Sequence, residues 1–196
     1  MNVCTRLTLL ACSLLLAACG SAPITYYTLI PPQANQPDSA TGADFQLQVM
    51  PVRIPLQIDQ PGMVIRQSDG RLAILETSRW AAPPADEFHD ALAMALEARL
   101  GVRDLAGLPA NPGMSLVIVR TDVRRFDSLL DNHAALDVVW SVQRGKDGAS
   151  RSLTCSSTIR KPAGPGIEGL VLAHQQAIAG LADAISDTVQ RWGRCP

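Results

Sequence analysis

Apolar and polar residues alternate along several stretches of the chain, and this period of two predicts half-buried β-strands. These stretches lie at 45–49, 117–123, 136–142 and 153–159. Two shorter apolar runs, 63–66 and 72–75, flank an Asp-Gly pair at 69–70, which favours the positive φ of a hairpin turn. The turns between the last three strands, at 127–133 and 145–150, are short enough for an antiparallel meander.

Two other stretches have the apolar spacing of amphipathic helices. A Pro-Pro pair at 83–84 marks the start of the first, because first-turn amides need no intrahelical partner, and Gly101 marks its end. The second is predicted over about 166–191. This order of elements predicts a single α+β domain, with two main helices packed on a mainly antiparallel sheet. We assign it to residues 45–196, and a strand-like piece at 24–29 joins its sheet.

The amino-terminal segment has the layout of a secretory signal. Arg6 precedes an uncharged apolar run, 7–18, that is too short to span a bilayer. Residues 16–19, Leu-Ala-Ala-Cys, resemble the lipobox of bacterial lipoproteins, which predicts cleavage before Cys19 and acylation of Cys19. A signal peptide at 1–18 and a lipid-anchored segment and loop at 19–44 follow from this interpretation. The alternative is an ordinary secreted protein with a chance cysteine at the cut.

The charge balance argues against one class of partner. The chain has 17 Lys and Arg residues against 18 Asp and Glu residues, and its basic residues form no cluster in the sequence. Proteins that bind nucleic acids neutralise backbone phosphates with a basic patch or stripe. We therefore expect no nucleic-acid partner.

The cysteine count leaves one pair. Cys4 and Cys12 leave with the signal peptide and Cys19 takes lipid, so Cys155 and Cys195 remain. In an oxidising periplasm an even pair predicts a disulfide, and two separate buried thiols are the alternative. Neither cysteine has a Cys or His residue at zinc-ligand spacing. We expect no metal and no cofactor.

The strongest candidates for chemistry are histidines. Asp86, His89 and Asp90 share a predicted helix face that would suit a metal. Alternatively, the acids Asp86, Glu87 and Asp90 complement the positive end of the helix dipole, with His89 solvated beside them. We adopt the dipole interpretation. His174 falls near the apolar stripe of the last helix, where a partly buried histidine bonded to backbone is favoured over a proton shuttle. His133 lies in a predicted polar turn and is assigned no role.

Motifs for catalysis and cofactor binding are absent from the sequence. It has no Gly-x-Ser-x-Gly elbow, no Gly-rich phosphate loop and no His-Glu-x-x-His helix, although a triad assembled in space needs no such motif. Trp80, Trp140 and Trp192 would suit a ligand pocket, but single tryptophans in apolar segments are more often core or rim residues. We predict no catalytic residue and no enzymatic activity.

Several short motifs point to a known family. Residues 26–29 read YYTL, residues 52–66 read VRIPLQIDQPGMVIR, Arg-Trp at 79–80 precedes the first helix, and residues 123–127 read VRRFD. With the lipobox, these resemble the PqiC (YmbA) family of auxiliary lipoproteins of ABC-type transport systems. The resemblance covers nearly the whole predicted mature chain.

The resemblance implies a function as well as a fold. Family members have an amino-terminal lipid anchor, a single α+β domain and an MCE-domain membrane protein as partner. Their systems move lipids between the two membranes or preserve envelope integrity. Gly20 stands where an inner-membrane retention signal would carry Asp, so by resemblance to the sorting rule we expect anchoring in the outer membrane, facing the periplasm. A homo-oligomer is also possible, and the sequence does not give the oligomeric state.

The predicted role is to dock the MCE-domain partner at the outer membrane. Arg53, Ile54 and Leu56 are the candidate docking residues, because the prolines around them interrupt regular pairing and leave an edge for another chain. The alternative is that Ile54 and Leu56 belong to the core. Two rival functions are a periplasmic lipid-binding carrier, which needs a large apolar cavity, and an envelope hydrolase, which needs a nucleophile and a base in contact.

Overall fold

A computed structural model describes residues 22–32, 44–146 and 148–196. The predicted signal peptide, Cys19 and most of the predicted loop before residue 44 lie outside the described residues. The elements, in chain order, are β1 (Thr25–Tyr27), β2 (Phe45–Val49), β3 (Gly62–Arg66), β4 (Leu72–Trp80), α1 (Pro84–Leu100), β5 (Ser115–Leu129), β6 (His133–Lys146), β7 (Ala149–Pro162) and α2 (Gly166–Arg191).

The predicted α+β class with two packed helices is confirmed, but the strands form two sheets. One sheet has the order β2-β5-β6-β7 and the other β1-β4-β3. The hairpin of β3 and β4 and the meander of β5, β6 and β7 are antiparallel, as predicted. Each sheet also carries one parallel pair, β2 with β5 and β1 with β4. Local alternation does not reveal these pairs, because a parallel partner lies a long crossover away in sequence.

The main core lies between the four-stranded sheet and the helices. Helix α2 packs against α1, β6 and β7. The inward side chains of β5 and β6 follow the predicted alternation and are buried, among them Val117, Val119, Leu136 and Trp140. The helix bounds also agree with the prediction, and the left-handed Gly101 at the end of α1 donates its N–H to the Glu97 carbonyl.

Glu87 has a structural role that the sequence interpretation missed. It was grouped with the acids that complement the dipole of α1, yet it is buried. One carboxylate oxygen, Oε2, accepts hydrogen bonds from the Thr28 hydroxyl at 2.6 Å and from the Leu29 N–H at 2.7 Å. Glu87 therefore holds the segment that follows β1 against the first turn of α1.

Cys155 and Cys195 form a disulfide in the structure, with their Cα atoms 5.5 Å apart. Cys155 is buried on the inner face of β7, and Cys195 lies in the tail after α2. The bond ties that tail to the edge strand of the four-stranded sheet. In the part of the chain that the structure describes, no helix is both long enough and apolar enough to cross a bilayer.

The Glu87→Gln variant should have a free energy of unfolding about 2–3 kcal/mol below that of the wild type, because one buried and one partly buried hydrogen bond lose their charged acceptor. Asp86→Asn is the matched control, since Asp86 is exposed in the same helical turn, and should change the value by less than about 0.5 kcal/mol. Urea unfolding measures both. Equal, small effects would show that Glu87 does not fasten the segment.

Replacing both bonded cysteines, Cys155→Ala with Cys195→Ala, should lower the free energy of unfolding by about 2–4 kcal/mol, because the bond closes a loop with a sequence separation of 40 residues. Reduction of the wild type is the control and should produce a similar loss. A thiol reagent should find no reactive thiol in the unreduced, urea-unfolded mature protein. Two reactive thiols would contradict the disulfide.

Candidate docking surface

The predicted docking residues lie in the segment that continues β2 along β5. Beyond Val49, the Arg53 N–H donates to the Thr121 carbonyl at 3.4 Å, and the Val123 N–H donates to the Arg53 carbonyl at 2.8 Å. Arg53 therefore pairs with Asp122 as an isolated parallel bridge. Because this backbone is already bonded to β5, its side chains, rather than a free strand edge at Arg53, are available to a partner.

The structure separates the three predicted docking residues. Arg53 is exposed, and Leu56 is 88% exposed, but Ile54 is buried in the main core. The side chain of Ile54 is thus unavailable to a partner, so the alternative, a core residue, holds for Ile54 but not for Leu56. A strand would place residues 54 and 56 on one face, but the chain turns at Pro55, where its carbonyl accepts the Ile58 N–H.

An open groove of ≈430 Å³ lies beside Arg53 on the four-stranded sheet. We call it the Arg53 groove, and its lining includes Met50, Arg53, Arg120, Asp122, Arg124 and Thr154. Asp122 forms ion pairs with Arg53 at 3.5 Å and with Arg124 at 3.2 Å. Arg120 donates a hydrogen bond to the Gln143 side chain at 3.1 Å. Three guanidinium groups against one carboxylate make the groove cationic.

The outer face of the sheet around this groove is polar. In β7 the outward residues include Ser152, Thr154, Ser156 and Thr158, all exposed. One face of an antiparallel sheet is commonly left to solvent, so exposure alone assigns no function. The local signal is the charge of the Arg53 groove, which suits a partner segment that carries carboxylates.

The predicted turn at 127–133 is shorter than expected. β5 runs to Leu129 and β6 begins at His133, so Asp127, Ser128 and His133 are strand residues, and all three are buried. Each polar side chain has a partner, which the sequence did not show. His133 Nδ1, for example, lies 2.8 Å from the Asn132 side-chain oxygen and 2.9 Å from Arg160. Burial, reinforced by the Arg160 charge, lowers the pKa of His133.

Asp127 is a buried carboxylate with two cationic partners. Arg66 from β3 donates its Nε–H to Asp127 at 2.7 Å, and Arg125 donates to the other oxygen. Burial alone would raise the pKa of Asp127, but the hydrogen bonds from Arg125 and Arg66 outweigh burial and hold this pKa below its ordinary value of 3.8. The pair of Arg66 and Asp127 joins the two sheets.

His174 is fully buried, not partly buried and bonded to backbone as predicted. Its Nε2 lies 2.8 Å from the Ser128 hydroxyl oxygen, and its ring stacks on Phe126 with centroids 4.1 Å apart. Its Nδ1 has no hydrogen-bond partner among the described residues. Burial lowers the pKa of His174 to about 3, so the ring is neutral at neutral pH. A serine and histidine pair with no solvent access cannot meet a substrate, and we assign it a structural role.

The cluster on α1 also differs from the prediction. Asp86 is exposed, but His89 is half-buried, with Nδ1 2.9 Å from Asp90 and Nε2 3.4 Å from the Val49 carbonyl oxygen. His89 is therefore not simply solvated. Within the described ranges, no group of three His, Cys, Asp or Glu side chains is placed to hold a metal ion.

The tryptophans are core and rim residues, as predicted. Trp80 packs edge-on against Phe126, with ring centroids 6.2 Å apart, and Trp140 donates its indole N–H to the Ser157 hydroxyl at 2.9 Å. Both indoles are buried. Trp192 is half-buried at the end of α2, with the Arg151 guanidinium over its ring.

Comparison with known proteins decides the family. The protein-family model described as "ABC-type transport auxiliary lipoprotein component" matches residues 27–186, which is most of the chain. The chain belongs to this family. The family suggested by the short motifs is thus confirmed at this level. As an ABC-type transport auxiliary lipoprotein, the chain is an envelope protein held at a membrane.

Solved structures support the fold of this auxiliary lipoprotein. A crystal structure of an uncharacterized protein matches with a TM-score of 0.62 and 19% identity, and the match covers 86% of this chain and 99% of that one. A protein from Xanthomonas campestris matches with a TM-score of 0.59 and 19% identity, covering 85% and 95% of the two chains. At this identity the likeness shows the fold alone. A comparison with curated proteins finds no significant match.

The neutral state of His174 predicts a pH dependence of stability. The pKa of His174 falls from 6.5 to about 3 on folding, so the unfolded chain binds the additional proton between these values. The contribution of the neutral His174 to the free energy of unfolding is therefore present above about pH 6.5 and is lost as the pH falls towards 3. Between about pH 7 and 5 the free energy of unfolding should fall by about 2 kcal/mol, measured by urea unfolding.

A double variant, Ser128→Ala with His174→Phe, should lose most of this pH dependence, because neither the titrating ring nor its buried hydroxyl partner remains. His133 also has a lowered pKa and acts in the same direction, so His133→Asn is the control and should keep most of the slope. If the double variant and the wild type lose equal stability between about pH 7 and 5, His174 does not titrate on unfolding.

Proposed function

We propose that this auxiliary lipoprotein is anchored in the outer membrane through acylated Cys19 and docks the MCE-domain partner of an intermembrane lipid transport or membrane-integrity system. The single observation that carries the docking role is the cationic Arg53 groove on a member of a transport auxiliary family. The MCE partner and the outer membrane come from the sequence resemblance and the residue after Cys19. They are the parts that the experiment below must test.

The charges of the groove favour a partner of opposite sign. The side chains of Arg53 and Arg124 are mostly exposed, and both form ion pairs with Asp122. The single carboxylate of Asp122 neutralises only part of their charge. A carboxylate on the partner would replace water around these guanidinium groups and make charge-assisted hydrogen bonds. Complementary charge also speeds encounter and fixes the orientation of the complex.

Leu56 supplies an apolar contact on the same segment. It is 88% exposed, the highest value among the large apolar side chains that the structure describes. Interfaces combine a small apolar centre with a polar rim, and Leu56 with Arg53 has this composition. The anchor also raises the local concentration of the domain at the membrane, so a modest docking affinity is sufficient.

Charge reversal at the groove should break docking without unfolding the domain. The Arg53→Glu variant should capture the MCE-domain partner at least about tenfold less well, a change of about 1.4 kcal/mol in binding free energy. Its melting temperature should stay within about 2 °C of the wild type, because the side chain is mostly exposed. The measurement is copurification of the acylated protein from detergent-solubilised envelopes, with mass spectrometry of the captured proteins.

Arg191→Glu is the control for nonspecific charge effects, because Arg191 is also highly exposed and pairs with an acid, Asp187, but lies at the end of α2. It should capture the partner as the wild type does. If Arg53→Glu loses partner capture and its melting temperature also falls clearly below that of the wild type, the variant is misfolded. Failure of the wild type to capture any MCE-domain protein would remove the proposed partner, and envelope fractionation of the acylated protein tests the outer-membrane location separately.

A further inference from the structure

Exposed apolar side chains are concentrated around the neighbouring strands β1 and β4. Ile24, Tyr26, Leu72 and Ile74 are exposed, and they lie on β4, on β1 or next to β1. Tyr26 is 61% exposed and Ile74 55%. The described residues contain nine large apolar side chains of this kind, so four of the nine lie in or next to two neighbouring strands. Exposed apolar patches mark surfaces that meet a partner or a membrane.

Tyr26, Leu72 and Ile74 point to the outer face of the three-stranded sheet. Tyr27 and Trp80, which are register partners, pack on the main core, so Tyr26 points to the opposite face. In β4, Ala73 and Leu75 pack on the second, smaller core cluster. By the same alternation, the side chains of Leu72 and Ile74 point outward.

A fifth exposed side chain, Leu172 of α2, lies beside β1, the edge strand of this sheet. It lies one helical turn from Glu168 and from Gln175, at spacings of four and three residues. Glu168 accepts a hydrogen bond from the Tyr27 hydroxyl at 3.1 Å, and Gln175 donates to the Thr28 carbonyl at 3.1 Å. Leu172 is therefore next to β1, and we call Ile24, Tyr26, Leu72, Ile74 and Leu172 the β1 patch.

The length of chain before β1 brings this patch to the membrane. Cys19 precedes Ile24 by five residues, which span at most about 18 Å when fully extended. Acyl chains on Cys19 hold its backbone at the headgroup layer, so the start of β1 stays within roughly that distance of the bilayer. This step rests on the acylation of Cys19, which is part of the proposed function.

We propose that the β1 patch lies on the lipid bilayer that holds the anchor, with its apolar side chains among the headgroups. Burial of apolar area at the interface adds a second attachment to the acyl chains. A tyrosine such as Tyr26 suits this depth, because its ring is apolar while its hydroxyl stays hydrated. The contact fixes which side of the domain faces the membrane and leaves other surfaces to face the periplasm.

The test places a reporter on the patch in the acylated, full mature protein. The variant Ile74→Cys carries an environment-sensitive fluorophore on its introduced thiol, and the protein is reconstituted into vesicles of phosphatidylethanolamine and phosphatidylglycerol. Leu108→Cys is the matched control, because Leu108 is also exposed and apolar. Leu108 lies beyond the far end of α1, a helix of 17 residues and therefore about 25 Å long, whose first turn contacts the segment after β1.

The fluorophore at position 74 should shift to shorter wavelength on the vesicles and be quenched by brominated lipid, while the one at position 108 should show neither change. Equal spectra and equal quenching at the two positions would overturn the proposal, since the domain would then have no preferred membrane face. Flotation with the vesicles reports the anchor separately. Loss of flotation would overturn both the proposed anchor and this inference, whereas flotation without quenching at position 74 would overturn the inference alone.

Discussion

The contact between the two sheets depends on the ion pair between the buried carboxylate of Asp127 and Arg66. A charge without water is costly unless it is paired and hydrogen-bonded, and Asp127 meets both conditions through Arg66 of β3 and Arg125 of its own strand. Its two neighbours in β5 complete the joint. Phe126 packs against rings from β4, α1 and α2, and Ser128 bonds His174 of α2. Three consecutive side chains thus connect every layer of the domain.

This joint connects the two surfaces to which we assign functions. The β1 patch belongs to the three-stranded sheet and the adjoining turn of α2, while the Arg53 groove belongs to the four-stranded sheet. If the sheets turned freely on each other, an anchor at one would not orient the other. The ion pair from β3 to β5 and the stacked rings beside it restrict that motion. A membrane contact on one sheet can therefore set the direction in which the groove faces.

Local patterns in the sequence predicted those parts of the fold that depend on local rules. Alternation identified the inward faces of β5 and β6, and the proline pair and Gly101 bounded α1. Buried polar residues were missed, because Asp127, Ser128 and Glu87 look like turn or helix-start residues until their distant partners are known. At the proposed docking site, the sequence left open whether Ile54 and Leu56 are docking or core residues, and it could not separate the two because the turn at Pro55 breaks the alternation.

The placement of polar groups separates buried from exposed charge in this domain. Its serine and histidine in contact, Ser128 and His174, are sealed in the core, where burial keeps the histidine neutral. The arginines of the Arg53 groove, by contrast, stay at the surface, where they keep their hydration until a partner displaces it. The interior charge of Asp127 helps to hold the two sheets together, whereas the surface charge of the Arg53 groove is accessible to the partner that we propose. This division suits the docking role that we propose, because a tethered subunit that docks a partner must hold its binding surfaces in a fixed orientation.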